Sequence, residues 1–245
     1  MSALAGRRVL VTGGSSGLGA AIAAACADAG AHVAIVARGR DRLDEVAGAT
    51  GAHAVVADVG DAEAAQGAVA EAAERLGGLD VLVNNAGLML HSPVGAGFVE
   101  DWDRSYRANV LGMLHVTHAA LPHLRASAGA DLVVVASTAT DRVTAPDFGV
   151  YASTKAAQGR LTEGLRLELA DAPHVRVTLV KPGFMTTPGL GTGTRDPDLQ
   201  ARVVEQKQAI GLPPERVAAV IRQLLELPAE VSVPEITIVP TPRAA

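Results

Sequence analysis

Short apolar segments alternate with longer helical patterns along nearly the whole chain, and this alternation is the strongest constraint on the fold. Segments rich in β-branched residues predict strands at residues 7–12, 32–37, 53–57, 81–84, 132–136, 175–180 and 236–239. Helical periodicity occupies residues 17–29, 41–49, 62–76, 101–124, 151–170 and 214–227. Strict alternation predicts βαβ crossovers, and continuously apolar strands predict helices on both faces of the sheet. We expect one α/β domain over residues 1–245, built on a doubly wound, seven-stranded parallel sheet.

The composition excludes several classes of partner. The formal net charge is -5 and no run of Lys or Arg occurs, so we expect no nucleic-acid partner. No apolar run approaches the ~20 residues that a membrane span needs. Cys26 is the only cysteine, which rules out an intramolecular disulfide and suits a reducing compartment. We therefore expect a cytoplasmic protein without a membrane segment.

A glycine-rich turn follows the first predicted strand and leads into the first predicted helix. It runs Thr-Gly-Gly-Ser-Ser-Gly-Leu-Gly, from Thr12 to Gly19. Glycines let the backbone approach a pyrophosphate, and the N–H groups and positive end of the following helix attract the anion. The lysine of a P-loop is missing here. The turn therefore favours a dinucleotide over a nucleoside triphosphate.

The end of the second predicted strand indicates which dinucleotide. It reads Ala37-Arg38-Gly39-Arg40, without the acidic residue that binds a ribose 2'-hydroxyl. A guanidinium pairs well with a 2'-phosphate, whereas a carboxylate would repel it. Arg38 thus favours NADP(H) over NAD(H), the alternative being a solvated arginine at a strand end.

Tyr151 and Lys155 stand four residues apart at the start of a predicted helix. Residues at this spacing share one helix face, so both groups can approach the same small volume. A fixed cation beside a phenol favours the phenolate and lowers the tyrosine pKa from its usual ~10. A tyrosine tuned in this way can act as a general acid or base. The spacing alone also occurs by chance in many helices.

These motifs together resemble the short-chain dehydrogenase/reductase family, in its compact single-domain branch with a Rossmann fold. Nearly the whole chain takes part in the resemblance, which implies that Tyr151 exchanges a proton with the substrate oxygen. It implies that Lys155 binds the nicotinamide ribose and lowers the tyrosine pKa, and that Asn109 holds a water that connects Lys155 to solvent. The implied cofactor contacts are Gly13, Ser15, Ser16, Gly17, Leu18, Gly19, Arg38, Asp58, Val59, Asn85, Ala86, Gly87, Tyr151, Lys155, Pro182, Gly183 and Thr187.

The hydroxyl that contacts the substrate oxygen has two candidates. The family places a serine thirteen residues before the tyrosine, and Thr138 stands there, with Ser137 one residue earlier. Adjacent residues of a strand point to opposite faces, so only one of the two is expected to face the site. Gap-free spacing favours Thr138, whose extra methyl would narrow the pocket.

The stretch from Pro182 to about Asp198 is rich in Gly and Pro and has no hydrophobic period, which favours a mobile lid, at about 183–212, that covers a largely apolar substrate pocket. Its expected lining residues are Met89, Leu90, His91, Thr140, Arg142, Phe148, Phe184 and Met185. Such a pocket suits a small or medium-sized, partly apolar carbonyl compound, and Arg142 or His91 could meet a carboxylate. A solvated loop position is the alternative for His91.

We expect an NADP(H)-dependent oxidoreductase that transfers hydride between nicotinamide and a carbonyl or secondary alcohol. The resemblance implies a homodimer or homotetramer, formed through the helices at 101–124 and 151–170. His115, His118 and His123 have no carboxylate or Cys at matching spacing, so we expect no metal site. The alternatives are an NAD-dependent alcohol dehydrogenase and a non-catalytic dinucleotide-binding regulator with the same fold.

Overall fold

A computed structural model describes residues 2–188 and 194–241, and within them it confirms the doubly wound parallel sheet. All strand pairs are parallel, in the order β3-β2-β1-β4-β5-β6-β7. The strands are β1 (Arg8–Thr12), β2 (His32–Ala37), β3 (His53–Val56), β4 (Val81–Asn84), β5 (Ala130–Val135), β6 (Val175–Pro182) and β7 (Glu235–Ile238). The helices are α1 (Gly17–Asp28), α2 (Arg40–Thr50), α3 (Ala62–Leu76), α4 (Val99–Tyr106), α5 (Gly112–Ala126), α6 (Gly149–Glu168), α7 (Pro197–Ile210) and α8 (Pro214–Leu225).

The sheet separates two apolar layers, because successive residues of each strand point to opposite faces. Leu10 and Leu82 lie in the layer that α3 and α5 cover, while Val9 and Val81 lie in the layer that α1 and α8 cover. These strand residues are fully buried. Burial on both faces explains why the strands read as continuous apolar runs.

Two helical predictions differ from the structure. The pattern at 101–124 is not one helix but α4, a π-helical turn at Arg107–Leu111, and α5. The sequence-based prediction also missed helix α7. The stretch that precedes this helix is rich in Gly and Pro and was interpreted as irregular as far as about residue 198. This helix begins at Pro197, a residue type that is favoured at the first helical position.

The strand order reverses at β1, which has β2 on one side and β4 on the other. Ligands of open α/β sheets bind beyond the carboxyl ends of the strands at such a point. Thr12 connects the carboxyl end of β1 to the segment that follows β4. Its hydroxyl accepts hydrogen bonds from the backbone N–H groups of Asn85 and Ala86, both at 3.0 Å. None of the helices in the described part of the chain has the length and apolarity that a membrane crossing requires.

Candidate active site

The glycine-rich turn between β1 and α1 needs its glycines for backbone reasons. Gly13 and Gly17 have φ angles of 69° and 54°, in the left-handed region that side chains disfavour. A Cβ on Gly19 would lie 2.2 Å from the carbonyl oxygen of Gly13, so only glycine allows this close approach. The turn ends at the N-terminus of α1, where Ser16 is the N-cap residue and makes no side-chain capping bond. The first backbone N–H groups of α1 could therefore hold a pyrophosphate.

The segment after β4 forms the other wall of this turn. The side-chain amide of Asn85 donates to the carbonyl of Thr12 at 2.9 Å. Gly87 follows Ala86 and approaches the catalytic candidates: a Cβ there would lie 3.0 Å from Oδ1 of Asn109 and 3.6 Å from Nζ of Lys155. The structure thus brings the predicted residues of β1, β4 and α6 to one edge of the sheet.

Tyr151 lies in the first turn of α6 and is buried beside Phe148, with ring centroids 4.7 Å apart. A side-chain hydrogen bond connects the phenol to Ser137. Thr138 begins the 3₁₀ turn Thr138–Thr140, and no contact between its hydroxyl and the phenol is found among the described residues. Of the two candidate hydroxyls, Ser137 is therefore the one that faces the phenol in this structure. Which of them contacts the substrate oxygen stays a prediction.

The ammonium of Lys155 is buried beneath Tyr151, 5.8 Å from the centroid of its ring. It donates to the carbonyl of Val135 at 3.2 Å and to Oε1 of Gln158 at 2.9 Å. The Gln158 amide in turn donates to the carbonyl of Asn109 at 2.6 Å. The side chain of Gln158 thus links the ammonium to the backbone of Asn109, and the water through which Asn109 would connect Lys155 to solvent stays a prediction.

Asn109 lies in the π-helical turn and is fully buried. Its side-chain amide donates to the carbonyl of Leu88 and to the hydroxyl of Thr154, both at 2.9 Å, and its Oδ1 accepts from the backbone N–H of Leu88 at 2.7 Å. A π-helical turn is uncommon and often marks a functional site. Here it turns Asn109 towards both the β4 loop and α6.

Burial controls the protonation of the two central groups. It raises the pKa of Tyr151 to about 12, although the hydrogen bond with Ser137 opposes this change. Burial also lowers the pKa of Lys155 to about 7, because the charged ammonium loses its hydration. Neither shift is caused by the other group, and the lowering of the tyrosine pKa by Lys155 stays a prediction. At neutral pH the tyrosine is a protonated phenol.

Arg38 stands at the end of β2, where the sequence predicts a 2'-phosphate contact. Its guanidinium lies 4.0 Å from Asp58, and both side chains are more than half exposed. Asp58 also accepts a hydrogen bond from the backbone N–H of Gly60 at 2.9 Å. An exposed ion pair at this distance contributes little, so the guanidinium could exchange it for a phosphate. Val59, the next residue, is buried against the start of α5.

The residues after β6 lie beside the glycine turn. A Cβ on Gly17 would lie 3.1 Å from the side chain of Thr187, so these two positions are in direct contact range. Pro182 is the last residue of β6, and the backbone N–H of Gly183 donates to the carbonyl of Ile238 in β7 at 2.8 Å. This anchoring places the segment at the carboxyl edge of the sheet.

The predicted substrate residues do not all meet at one place. His91 and Phe148 stack at 4.9 Å next to Tyr151, and Met89 packs against the same cluster. Thr140 instead faces the body of α6, where its hydroxyl donates to the carbonyl of Lys155 at 3.3 Å and its methyl group packs near Gly159. The Thr140 side chain thus lies away from the Tyr151–Phe148 cluster, and its substrate role stays a prediction.

Other predicted substrate residues also lie outside this cluster. The side chain of Met185 packs against the apolar layer under α1 and α8. Phe184 is half-buried, and its carbonyl accepts from the backbone N–H of Leu212 at 2.9 Å. Arg142 is exposed on the loop before α6. Leu90 is buried.

Part of the expected lid, residues 189–193, lies outside the described residues. Beyond it, Arg195 forms an ion pair with the buried carboxylate of Asp101 at 3.2 Å and covers the ring of Phe98 at 4.7 Å. The hydroxyl of Thr194 accepts a hydrogen bond from the backbone N–H of His91 at 3.3 Å. The segment before α7 is thus attached to α4 and to the β4 loop.

Sequence reasoning missed several residues of the site. Thr154 and Gln158 were passed over although they lie on the helix face of Tyr151 and Lys155, and a run of polar residues on one face of a buried helix is a usable signal. Asp147, which binds His91, gave no local signal.

Comparisons with known proteins agree with this geometry. A family model described as short chain dehydrogenase matches residues 7–197. Glycine betaine reductase ATRR of Emericella nidulans is 37% identical over 97% of this chain, which spans only 19% of that longer protein. An uncharacterized oxidoreductase of Staphylococcus saprophyticus is 36% identical, over 94% of this chain and 96% of that protein. The structure of an alcohol dehydrogenase from the archaeon Thermococcus sibiricus, complexed with 5-hydroxy-NADP, has a TM-score of 0.84, 30% identity and 98% coverage of both chains.

One edge of the doubly wound sheet holds the glycine turn, the buried tyrosine and lysine of α6, and the asparagine of the π-helical turn. Both the family model and near full-length relatives match this chain. The chain therefore belongs to the short chain dehydrogenase family of oxidoreductases.

Proposed function

We propose that this protein is an NADP(H)-dependent carbonyl reductase, or an alcohol dehydrogenase in the reverse direction. The observation that carries the proposal is the phenol of Tyr151, which is hydrogen-bonded to Ser137 and lies above the buried ammonium of Lys155. The same sheet edge holds a glycine turn whose close approach at Gly19 leaves no room for a side chain. Such a turn fits a dinucleotide pyrophosphate.

The residues of the chain divide the proton chemistry among themselves. When bound, NADPH supplies the hydride for the carbonyl carbon. Tyr151 donates its phenolic proton to the carbonyl oxygen, and Ser137 donates a second hydrogen bond to that oxygen. Burial raises the tyrosine pKa to about 12, so the phenol carries its proton at neutral pH and can act as the general acid of carbonyl reduction. Lys155, which Gln158 and Val135 hold in place, would bind the nicotinamide ribose.

Arg38 supports the choice of NADP(H) over NAD(H). It follows β2 where an acidic residue would bind a ribose 2'-hydroxyl, and its one described ion pair is a loose contact with Asp58. The alcohol dehydrogenase of Thermococcus sibiricus, which this chain resembles over its whole length, is complexed with 5-hydroxy-NADP.

Turnover of a carbonyl panel tests the reaction, with NADPH oxidation followed by its absorbance. Tyr151→Phe should lower kcat by about 100-fold or more, because general acid catalysis contributes about 10²- to 10⁴-fold. Its matched control is Tyr106→Phe, which removes the exposed hydroxyl that contacts Ser153 and should leave kcat within about twofold. NADPH binding without oxidation by any carbonyl would instead favour the non-catalytic regulator.

Affinity measurements test the cofactor choice. Arg38→Ala should weaken NADPH binding by about 10- to 100-fold, as expected for one charge-assisted hydrogen-bonded contact, and leave NADH binding nearly unchanged. Arg42→Ala, on the exposed first turn of α2, is the matched control. Equal weakening of both cofactors by Arg38→Ala would contradict a 2'-phosphate contact and favour an NAD-dependent dehydrogenase.

We also propose that two or four copies assemble through α4, α5 and α6. Tyr106 and Leu111, at and after the end of α4, are each 43% exposed and would be covered in such an assembly. Light scattering during size-exclusion chromatography tests this proposal. A monomer mass at micromolar concentration would contradict it.

A further inference from the structure

A histidine and an aspartate from two different loops form a buried pair next to Tyr151. Nδ1 of His91, in the loop after β4, lies 2.8 Å from a carboxylate oxygen of Asp147, in the loop before α6. The backbone N–H of Ser92 donates to the carbonyl of Asp147 at 3.1 Å, so the backbones of the two loops are joined as well. The His91 and Asp147 side chains are 9% and 14% exposed.

The carboxylate determines which nitrogen of His91 carries the proton. Although burial opposes it, the hydrogen bond from His91 lowers the pKa of Asp147, and Arg202 contributes in the same direction. An ionised carboxylate only accepts hydrogen bonds, so Nδ1 of His91 must be the donor. In the neutral imidazole, Nε2 is then an acceptor with a free lone pair.

This acceptor has no partner in the described part of the chain. Nε2 of His91 is shielded from solvent, and none of the side chains or backbone N–H groups that the structure describes donates to it. Nearly all buried polar atoms of native proteins are hydrogen-bonded, so an orphaned acceptor needs an explanation. The surrounding loop is well fixed, since the hydroxyl of Ser92 accepts from the backbone of Phe98 at 3.2 Å and from the indole of Trp102 at 3.0 Å. The orphaned nitrogen is thus held in place rather than left free to turn away.

The pair lies within reach of the reacting groups. The His91 ring stacks on Phe148 at 4.9 Å, and Phe148 contacts Tyr151 at 4.7 Å. A substrate whose carbonyl oxygen meets the tyrosine can therefore extend along Phe148 to the imidazole. Because the His91 side chain is buried, a neutral hydroxyl loses less hydration than a cation when it approaches Nε2, and it suits this acceptor better.

We propose that Nε2 of His91 accepts a hydrogen bond from a hydroxyl group of the substrate, and that Asp147 positions it to do so. The preferred substrates are then ketones or aldehydes that carry a hydroxyl group away from the reacting carbonyl. This inference rests on the proposed carbonyl reduction at Tyr151. Because Nε2 is shielded from solvent in this structure, the proposal requires that substrate binding opens access to it.

The test compares ketones that differ only at the remote group. 4-Hydroxybutan-2-one is measured against pentan-2-one, and 6-hydroxyhexan-2-one against heptan-2-one and 6-methoxyhexan-2-one, all with NADPH. In each hydroxyketone an OH replaces a methyl group of similar size, and the methyl ether can accept but not donate. At one of the two lengths the hydroxyketone should exceed its alkyl partner by about 10- to 100-fold in kcat/KM, because the alkyl chain leaves Nε2 unsatisfied. If the hydroxyl preference occurs at the longer chain length, the kcat/KM of the methyl ether should be close to that of heptan-2-one.

Substitutions then attribute the preference to the pair. His91→Phe keeps an aromatic ring against Phe148 and should reduce the hydroxyl preference to about twofold or less. Asp147→Asn no longer fixes the tautomer and should reduce the preference mainly by raising KM for the hydroxyketone. The matched control is His53→Phe, at an exposed position of the edge strand β3, which should retain the full preference. NADPH affinity and the melting temperature establish that each variant is folded, and Asp147→Asn decides the matter if His91→Phe does not fold.

Two results would overturn the inference while leaving the proposed function intact. One is turnover of both ketone series by the wild-type protein with hydroxyl-to-alkyl ratios near one at both lengths. The other is a hydroxyl preference that both His91→Phe and Asp147→Asn retain. If no carbonyl compound is reduced at all, the proposed function fails first and this inference fails with it.

Discussion

The buried ammonium of Lys155 should make the stability of the fold depend on pH. Its pKa falls from 10.5 to about 7 on burial. Between these two values the unfolded chain holds a proton that the folded chain lacks, so the free energy of unfolding rises with pH. The stabilisation is fully present above pH 10.5 and is lost as pH falls towards 7. Lys155→Met, which keeps a long flexible side chain without the charge, should abolish this dependence.

The magnitude follows from the two pKa values. A single group that is protonated only in the unfolded state changes the unfolding free energy by about 1.4 kcal/mol per pH unit. Integrated from about pH 7.5 to 9.5, the wild type should gain about 2.5 kcal/mol relative to Lys155→Met. The variant also loses the hydrogen bonds to Val135 and Gln158, but their contribution does not change with pH in this window. The difference between the curves therefore isolates the ammonium.

The assay is urea denaturation at several pH values between 7.5 and 9.5, at one protein concentration, for the wild type and two variants. Lys181→Met is the control. Although burial opposes it, hydrogen bonds to Asp141 and Glu235 raise the pKa of Lys181 above 10.5. That raised pKa stabilises the fold at every pH below 10.5, so the difference from Lys181→Met should stay constant through pH 9.5. Parallel curves for the wild type and Lys155→Met would show that Lys155 keeps its charge in the fold, which would refute the argument from burial.

Two further predictions concern the hydroxyl and the glycine turn. Ser137→Ala should lower kcat by about 100-fold, because it removes a hydrogen-bond donor to the developing oxyanion, whereas Thr138→Val should cost little; the reverse result would restore the gap-free alignment. Gly19→Ala should weaken cofactor binding at least about tenfold and lower the melting temperature, because its Cβ would collide with the carbonyl of Gly13 at 2.2 Å. Gly67→Ala, in open space in the middle of α3, is the control and should stabilise the protein by about 1 kcal/mol.

The fold could be predicted from the sequence because each strand carries its own signal. Continuous apolar runs mark β1, β2 and β4 to within a residue, since both sides of these strands are buried. The predicted helix boundaries were wrong where tertiary contacts determine them. The pattern at 101–124 is helical throughout, and only the packing of Asn109 between Leu88 and Thr154 shows why a π-helical turn interrupts it.

The sequence predicted the site well where a motif is local. The prediction failed where two residues that are far apart in the chain form a pair. Tyr151 and Lys155 share one helix, so their spacing sufficed. The choice between Ser137 and Thr138 depended on the length of a loop, which a residue count cannot supply. The contact of His91 with Asp147 joins loops that are 56 residues apart, and no pattern in either loop announces it.

The polar face of α6 explains why so many of these groups belong to one network. Tyr151, Thr154, Lys155, Gln158 and Thr162 are all buried along one side of the helix. Burying a polar group without a partner costs about 1–3 kcal/mol, so a face of this kind persists only if every group on it is bonded. Gln158 meets this requirement by using both ends of its amide, one for the ammonium and one for the π-helical turn. The same bonds fix Lys155 relative to Tyr151, so the interactions that make this buried face tolerable also set the geometry of the proposed proton transfer.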